Sequence, residues 1–455
     1  MDYKTFLETK RHSSQNYGIE PLEIPDLMFD FQKYVTEYAI KKGRCAVFLD
    51  TGLGKTIIEL VTALNYAKKF NKPVLIITPL AVAFQFLREA EKFGIGDIEY
   101  SKLGNYKSKI VVCNYERLEH FDPNDFDCVI LDESSILKNF DGARRQQITN
   151  FLRKVKYRYV FTATPSPNDF IELGTSSEAL GYLGYSDMLT KFFKNNEDTI
   201  SPMNIGTQWL LKGHAKESFF QWVSGWSVSM RNPSDLGFDD SKFILPELKV
   251  NYHEVKNEKE LVIDGQIMMF VQAAKTLPEI KVEQKQTIED RCNHAVTLTN
   301  DKDCSVYWTN LNAEADLIQE LDKNAYQIKG SMDIDQKEEL LLSFFQGDIK
   351  KLITKPKITA FGLNWQHCNH TVFFPSFSYE QYYQSIRRFW RFGQKKPVTV
   401  DLVYSEGQKR VLESLFAKTK KADELFSKLN ANLHKSFEIT KKEFNKQILK
   451  PAFLN

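Results

Sequence analysis

Short apolar runs that alternate with stretches of helical periodicity constrain this chain more than any other feature. In the first half the runs are "CAVFLD" (45–50), "VLIITP" (74–79), "KIVVCNY" (109–115), "CVILDE" (128–133) and "YVFTAT" (159–164). In the second half they are "CSVYWTN" (304–310), "AYQIKG" (325–330), "KKLITKP" (350–356), "HTVFFP" (370–375) and "PVTVDLVY" (397–404). Runs of this kind separated by helices are the mark of parallel strands buried on both faces, so the pattern predicts an α/β chain with two parallel sheets. In such sheets ligands bind outside the carboxyl ends of the strands, and here those ends are polar or small.

Composition narrows the class. The 455 residues leave room for about three domains, and 42% hydrophobic residues are enough for real cores. No stretch approaches the ~18 apolar residues that read as a membrane-spanning helix, and "MDYKTFLETKRHSSQ" lacks the apolar centre of a signal peptide. No membrane partner is expected. The cysteines at 45, 113, 128, 292, 304 and 368 show no C-x-x-C spacing and read as reduced thiols of a cytoplasmic protein. A net charge of +2 means that any affinity for nucleic acid comes from a local basic face.

Chemistry concentrates at two strand ends. After the first run, "DTGLGKT" offers a phosphate cradle made by Thr51, Gly52, Leu53, Gly54, Lys55 and Thr56, followed by a helix whose N-terminus favours anions. Lys55 is placed to reach the β- and γ-phosphates of ATP, and Thr56 to ligate Mg²⁺. Leu49 stands where the usual phosphate-loop pattern has its first glycine; it reads as the last residue of the buried strand. In "CVILDESS", Asp132 is placed to hold Mg²⁺ through water and Glu133 to orient and deprotonate the attacking water.

The order of these and further motifs resembles that of the superfamily 2 helicase-type ATPases, and within them the Swi/Snf-type double-stranded DNA translocases. "FDFQKYVTEYAIKKGRCAVFLDTGLGKT" is similar to the family's opening, which implies that Gln32 reads adenine. "IITPLAVAFQFLREAEKF" resembles motif Ia, "DESSILKN" motif II with Ser135 where many relatives carry histidine, and "FTATPSPND" motif III. The resemblance implies that Thr162 and Thr164 couple nucleotide to nucleic acid. "KPKITAFGLNW" resembles motif V, with Gly362 and Asn364 at the matching positions, and "QSIRRFWRFGQ" resembles motif VI. The implied fold is two RecA-like lobes that trap ATP between them.

Motif VI also carries its own physical reading. Gln384, Arg388 and Arg391 lie four and three apart, so a helix through them points all three the same way. Two guanidiniums on one face call for an anion, and the γ-phosphate is the expected one. Phe389, Trp390 and Phe392 mark the segment as packed.

The expected plan is a first lobe over 1–165, a mainly helical accessory insert over 166–245, and a second lobe with C-terminal helices over 246–455. Trp222 and Trp226 in the insert are candidates for stacking on nucleic acid, weighed against core packing, which their helical spacing favours. The lysine-rich C-terminal stretch is expected to pack its apolar residues back on the core. Together these readings point to a monomeric motor on DNA, duplex favoured and single strands possible, using ATP and Mg²⁺. A strand-separating DNA or RNA helicase and an ATP-gated binding or annealing protein stay open. The bare plan would suit a bacterial or phage protein, acting in the host cytoplasm in the latter case.

Overall fold

The structure, a computed structural model, describes residues 16–79, 82–138, 142–195, 209–256, 261–263, 266–268, 277–359 and 364–446. These form two compact units. The first takes in the described residues up to 195, with 209–243 and 421–446, and the second takes in those of 244–420.

In the first unit the strands are β1 (Arg44–Leu49), β2 (Val74–Thr78), β3 (Ile98–Tyr100), β4 (Ile110–Asn114), β5 (Cys128–Leu131), β6 (Tyr157–Thr162), β7 (Phe193–Asn195), β8 (Trp209–Leu211) and β9 (Ser227–Met230). Seven of them make one sheet in the order β3-β4-β2-β5-β6-β1-β9, parallel throughout. Side chains alternate between faces along each strand, so Ala46 and Phe48 join one core while Cys45, Val47 and Leu49 join another on the opposite face. Burial on both faces explains why these strands read as continuous apolar runs. β7 and β8 pair antiparallel as a separate ribbon.

The insert departs from its expected helical character at β9, which pairs with β1 from Ala46 opposite Ser227 to Leu49 opposite Met230. Two serines hid this strand from a search for apolar runs. Their buried hydroxyls are satisfied locally, Ser227 donating to the Val223 carbonyl at 2.8 Å and Ser229 to Asn430 at 2.7 Å.

Trp222 and Trp226 are core residues, which corrects their candidacy for stacking on nucleic acid. Trp226 is 1% exposed, with ring centroids 5.4 Å from Trp222 and 6.1 Å from both Tyr182 and Phe48. The helix Lys216–Ser224 turns its aromatics inward, where Trp222 packs on Phe192 and Phe219. Alanine at Trp226 is therefore expected to cost about 3–5 kcal/mol of stability. Thermal denaturation checks this, and affinity of the folded protein for DNA should be unchanged.

Residues beyond 420 also differ from the expected plan, because they pack on the first unit. Lys421 reaches Asp169 at 2.8 Å, Asp423 pairs with Arg231, and Leu425, Phe426 and Leu429 enter the first unit's core. Apolar positions of this helix do pack back on a core, as their spacing predicts.

The second unit contains β10 (Leu248–Val255), β11 (Leu261–Ile263), β12 (Gln266–Met268), β13 (Ser305–Trp308), β14 (Ala325–Gln327), β15 (Lys351–Thr354), β16 (His370–Phe373) and β17 (Val398–Ser405). Its six-stranded sheet is again parallel, ordered β10-β17-β16-β13-β15-β14, with β11 and β12 paired as a hairpin. β10 lies at the edge with none of its residues fully buried, so "LKVNYHEV" gives no apolar run.

A polar chain ties four of these strands together. Ser305 Oγ lies 2.9 Å from His370 Nδ1, His370 Nε2 lies 2.8 Å from Asp401 Oδ2, and Asp401 Oδ1 lies 2.9 Å from His253 Nε2. Asn251 donates to Asp401 as well, at 2.7 Å. Burial pushes the Asp401 carboxyl up, but the bonds from His370, Asn251 and His253 outweigh it and hold the group well below the usual carboxylate range. The Ser–His–Asp order is not a nucleophile site, since Ser305 is fully buried inside the sheet. The chain is structural.

Candidate nucleotide site

The phosphate loop is held open from behind. Gly52 and Gly54 have φ of +87° and +81°, a backbone region that favours glycine, and the helix Lys55–Phe70 begins immediately after them. A Cβ at Gly54 would lie 2.3 Å from Gln32 Nε2, because the Gln32 amide is folded against the loop and donates to the Leu53 carbonyl at 3.0 Å. Gln32 Oε1 accepts from the Phe29 N–H at 3.1 Å. The residue that the resemblance assigns to adenine is thus also a brace between the helix Asp30–Lys42 and the loop. Lys55 Nζ donates to the Leu49 carbonyl at 2.9 Å and the Asp50 carbonyl at 3.3 Å, and Thr51 N–H donates to Asp50 Oδ1 at 2.6 Å. Leu49 therefore does two things at once: its side chain is core, and its carbonyl parks the lysine.

At the end of β5, each carboxylate is fixed by hydroxyls from neighbouring strands. Thr78, at the end of β2, donates to Asp132 Oδ2 at 2.9 Å. Glu133 Oε1 accepts from Thr162 at 2.6 Å and from Ser135 at 2.9 Å, and the Thr162 hydroxyl in turn accepts from the Thr164 N–H at 2.9 Å. Glu133 has φ of +51°, a left-handed conformation that costs a non-glycine residue energy and needs its surroundings to enforce it. The Tyr115 hydroxyl helps, donating to the Glu133 carbonyl at 3.1 Å and to that of Asp132. Ser135 thus supplies a polar link of its own, directly to the expected general base.

Charge is crowded here. Burial lowers the Lys55 ammonium from its ordinary value, opposed by Glu133, Asp50, Asp132 and Glu59. Burial and the adjacent Glu133 push Asp132 up to about 6, against the Thr78 hydroxyl and Lys55. Sequence reasoning missed Glu59, one helical turn after Lys55. It is 0% exposed, its carboxyl lies against that of Asp132, and burial followed by Asp132 pushes it well above the carboxylate range. Its spacing from Lys55 was the available signal. Thr78 and Tyr115 had none, since they act only through contacts that the sheet creates.

Among the described residues no group of three or more His, Cys, Asp or Glu is arranged to hold a metal ion. The oxygen donors Thr56 and Asp132 suit Mg²⁺, which keeps several waters and binds through one or two protein groups plus phosphates.

In the second unit, motif VI is not one helix, which corrects the single face expected for its polar residues. The helix Tyr379–Ile386 ends before the arginines, and the chain turns because the Arg388 carbonyl accepts the Trp365 N–H at 2.9 Å, outside any helical ladder. Gln384 stays on the helix, buried, with neither amide atom hydrogen-bonded. Arg388 is 8% exposed and Arg391 half-buried. Phe389 packs under Trp308 and Trp365, and the Trp390 indole donates to the Pro246 carbonyl at 2.6 Å, but Phe392 is exposed rather than packed. Asn364 precedes the buried Trp365, and Gly362 lies outside the described residues.

Residues 29–172 match the model of the DEAD/DEAH box helicase family, and residues 257–393 match that of the helicase conserved C-terminal domain. The chain belongs to the superfamily 2 helicase-type ATPases, and its relatives are of the Swi/Snf type. It is 27% identical over 179 residues to the Mus musculus DNA annealing helicase and endonuclease ZRANB3, covering 35% of this chain and 16% of that protein. It is 26% identical over 164 residues to the Xenopus tropicalis SWI/SNF-related matrix-associated actin-dependent regulator of chromatin subfamily A-like protein 1, covering 34% and 17%. The chain thus matches only a small share of each relative's length. In fold it is similar to S. cerevisiae Dbp5 bound to Gle1 and IP6, with a TM-score of 0.51 over 86% of each chain at 13% identity.

Proposed function

We propose that this chain is an ATP-driven motor on DNA that prefers duplex to single strands and works as a monomer with Mg²⁺–ATP. The observation that carries the hydrolytic part is the clamp on Glu133. One oxygen accepts two hydroxyls, which leaves the other to face a water, and a general base so oriented is built for turnover rather than for nucleotide storage. Thr162 joins that base to the Thr164 backbone, so a displacement of motif III would be felt at the base. Support for DNA comes from the relatives, whose names speak of a DNA annealing helicase and a regulator of chromatin.

In this reading Lys55 and the loop N–H groups bind phosphate, while Thr56 and Asp132 hold Mg²⁺, which neutralises charge on the phosphates when bound. Arg388 and Arg391 stabilise the transferring phosphate during turnover. Displacement of a triplex-forming strand from duplex DNA tests the motor directly. ATP-dependent displacement without separation of the duplex is expected; separation of the duplex instead would identify a strand-separating helicase.

The raised Asp132 gives a pH prediction. A carboxyl raised above its ordinary 3.8 favours the metal-free fold at low pH, and that contribution is lost as pH rises through about 6. Mg²⁺ needs the ionised form, so protons compete with it below that point. The acid limb of ATP turnover should move to lower pH as Mg²⁺ is raised. Profiles at two Mg²⁺ concentrations check this, and an unmoved limb would remove Asp132 from the metal site.

A further inference from the structure

Six thiols are free in this chain, and they are not alike. Burial pushes Cys45 and Cys292 up to about 12, and raises Cys113 and Cys128 further, which keeps all four inert. Cys304 differs. It is only partly buried, and the Cys368 thiol, His367 and Lys350 lie beside it. Those neighbours, Cys368 first and then His367, hold it down at about 6.

The fold creates this pair from residues far apart in sequence. Cys304 immediately precedes β13 and Cys368 lies two residues before β16, and the two strands are parallel neighbours with Val306 opposite Thr371. Continued past the strand ends, that register sets Cys304 beside Asn369 and one residue off Cys368; with strands about 4.8 Å apart and about 3.3 Å of rise per residue, the diagonal is still within the Cα separations that a disulfide spans. Cys368 is buried, donates to the His370 carbonyl at 3.4 Å and is raised well above its ordinary value, so it remains a thiol. One member of the pair is therefore suited to attack and the other to resolve.

We propose that Cys304 and Cys368 form a peroxide-reactive dithiol that closes to a disulfide and slows the motor. The Cys304 thiolate attacks one oxygen of hydrogen peroxide, the O–O bond breaks, and hydroxide leaves and takes a proton to become water. Sulfur is oxidised by two electrons to a sulfenic acid. The Cys368 sulfur then attacks, the S–S bond forms, the S–O bond breaks, and a second water leaves with the Cys368 proton. Two thiols and one peroxide give one disulfide and two waters.

The link to turnover runs through Gln394. Its amide donates to the carbonyls of Cys368 at 3.2 Å, Gln366 at 3.0 Å and Phe389 at 3.2 Å, while Gln366 donates to the Phe392 carbonyl at 3.0 Å. Cys368 N–H donates to the Trp365 carbonyl, and Trp365 N–H to that of Arg388. A disulfide that draws Cys368 toward Cys304 pulls on the backbone that carries Arg388 and Arg391. This effect on turnover rests on the proposed motor function; the thiol chemistry does not.

The full chain, reduced and then exposed to hydrogen peroxide, should lose two of its six thiols, and peptide mapping should join Cys304 to Cys368. Dithiothreitol should restore both. C368S should stop at a Cys304 sulfenic acid captured by dimedone, and C304S should keep its remaining thiols. Oxidation mapped elsewhere, or no thiol loss, would overturn the site. DNA-stimulated ATPase should fall several-fold on oxidation and recover on reduction, with C304S indifferent to peroxide. Full disulfide formation with unchanged turnover would overturn the coupling to motif VI.

Discussion

Alanine at Lys55 should leave a folded protein that no longer turns over ATP. The ammonium now rests on the carbonyls of Leu49 and Asp50, beside the carboxylates of Asp132 and Glu133, and it is the main charge available to compensate the phosphates. Removing a group of this kind costs about 10²–10³ in rate, and here nucleotide affinity should fall as well. Glu133→Gln separates the two effects. The amide can still accept the hydroxyls of Thr162 and Ser135 but cannot take a proton, so binding should persist while turnover drops by about 10²–10⁴. Fluorescent-nucleotide binding beside steady-state hydrolysis checks both variants. A glutamine variant that also loses nucleotide would make Glu133 a structural residue.

A second expected result concerns motif VI. Arg388→Ala or Arg391→Ala should spare ATP binding yet depress DNA-stimulated turnover, by about 10³–10⁵ if either acts as an arginine finger. Both side chains sit beyond the end of the helix Tyr379–Ile386, on a turn fixed by the Trp365 N–H and by Gln394. A turn held this firmly can present a guanidinium without the cost of ordering it at each cycle. Nucleic acid that favours the hydrolytic state raises the wild-type rate, and that stimulation should vanish in both variants. ATPase assays with and without duplex DNA test this; full stimulation in either variant would exclude that arginine as a finger.

What could be read in advance follows from the physics of each element. Strands buried on both faces announce themselves as apolar runs, and "DTGLGKT" and "DESS" follow such runs directly, so the phosphate loop and the acidic pair were legible. β9 was not, because Ser227 and Ser229 are polar in composition yet buried through side-chain hydrogen bonds. The helix expected through Arg391 failed for a tertiary reason: the Arg388 carbonyl is captured by Trp365, more than twenty residues earlier in the chain. Trp222 and Trp226 showed the spacing of a core and belong to one. The roles of Thr78, Tyr115 and Glu59 exist only once β2, β5 and the helix Lys55–Phe70 converge.

The most direct test of the motor is steady-state ATP hydrolysis by the wild-type chain with duplex DNA, single-stranded DNA, RNA or no nucleic acid. Duplex DNA should stimulate most, and the stimulation should fade as salt is raised, because phosphate contacts release counterions. Equal rates with and without nucleic acid, or stimulation by RNA alone, would contradict a DNA motor.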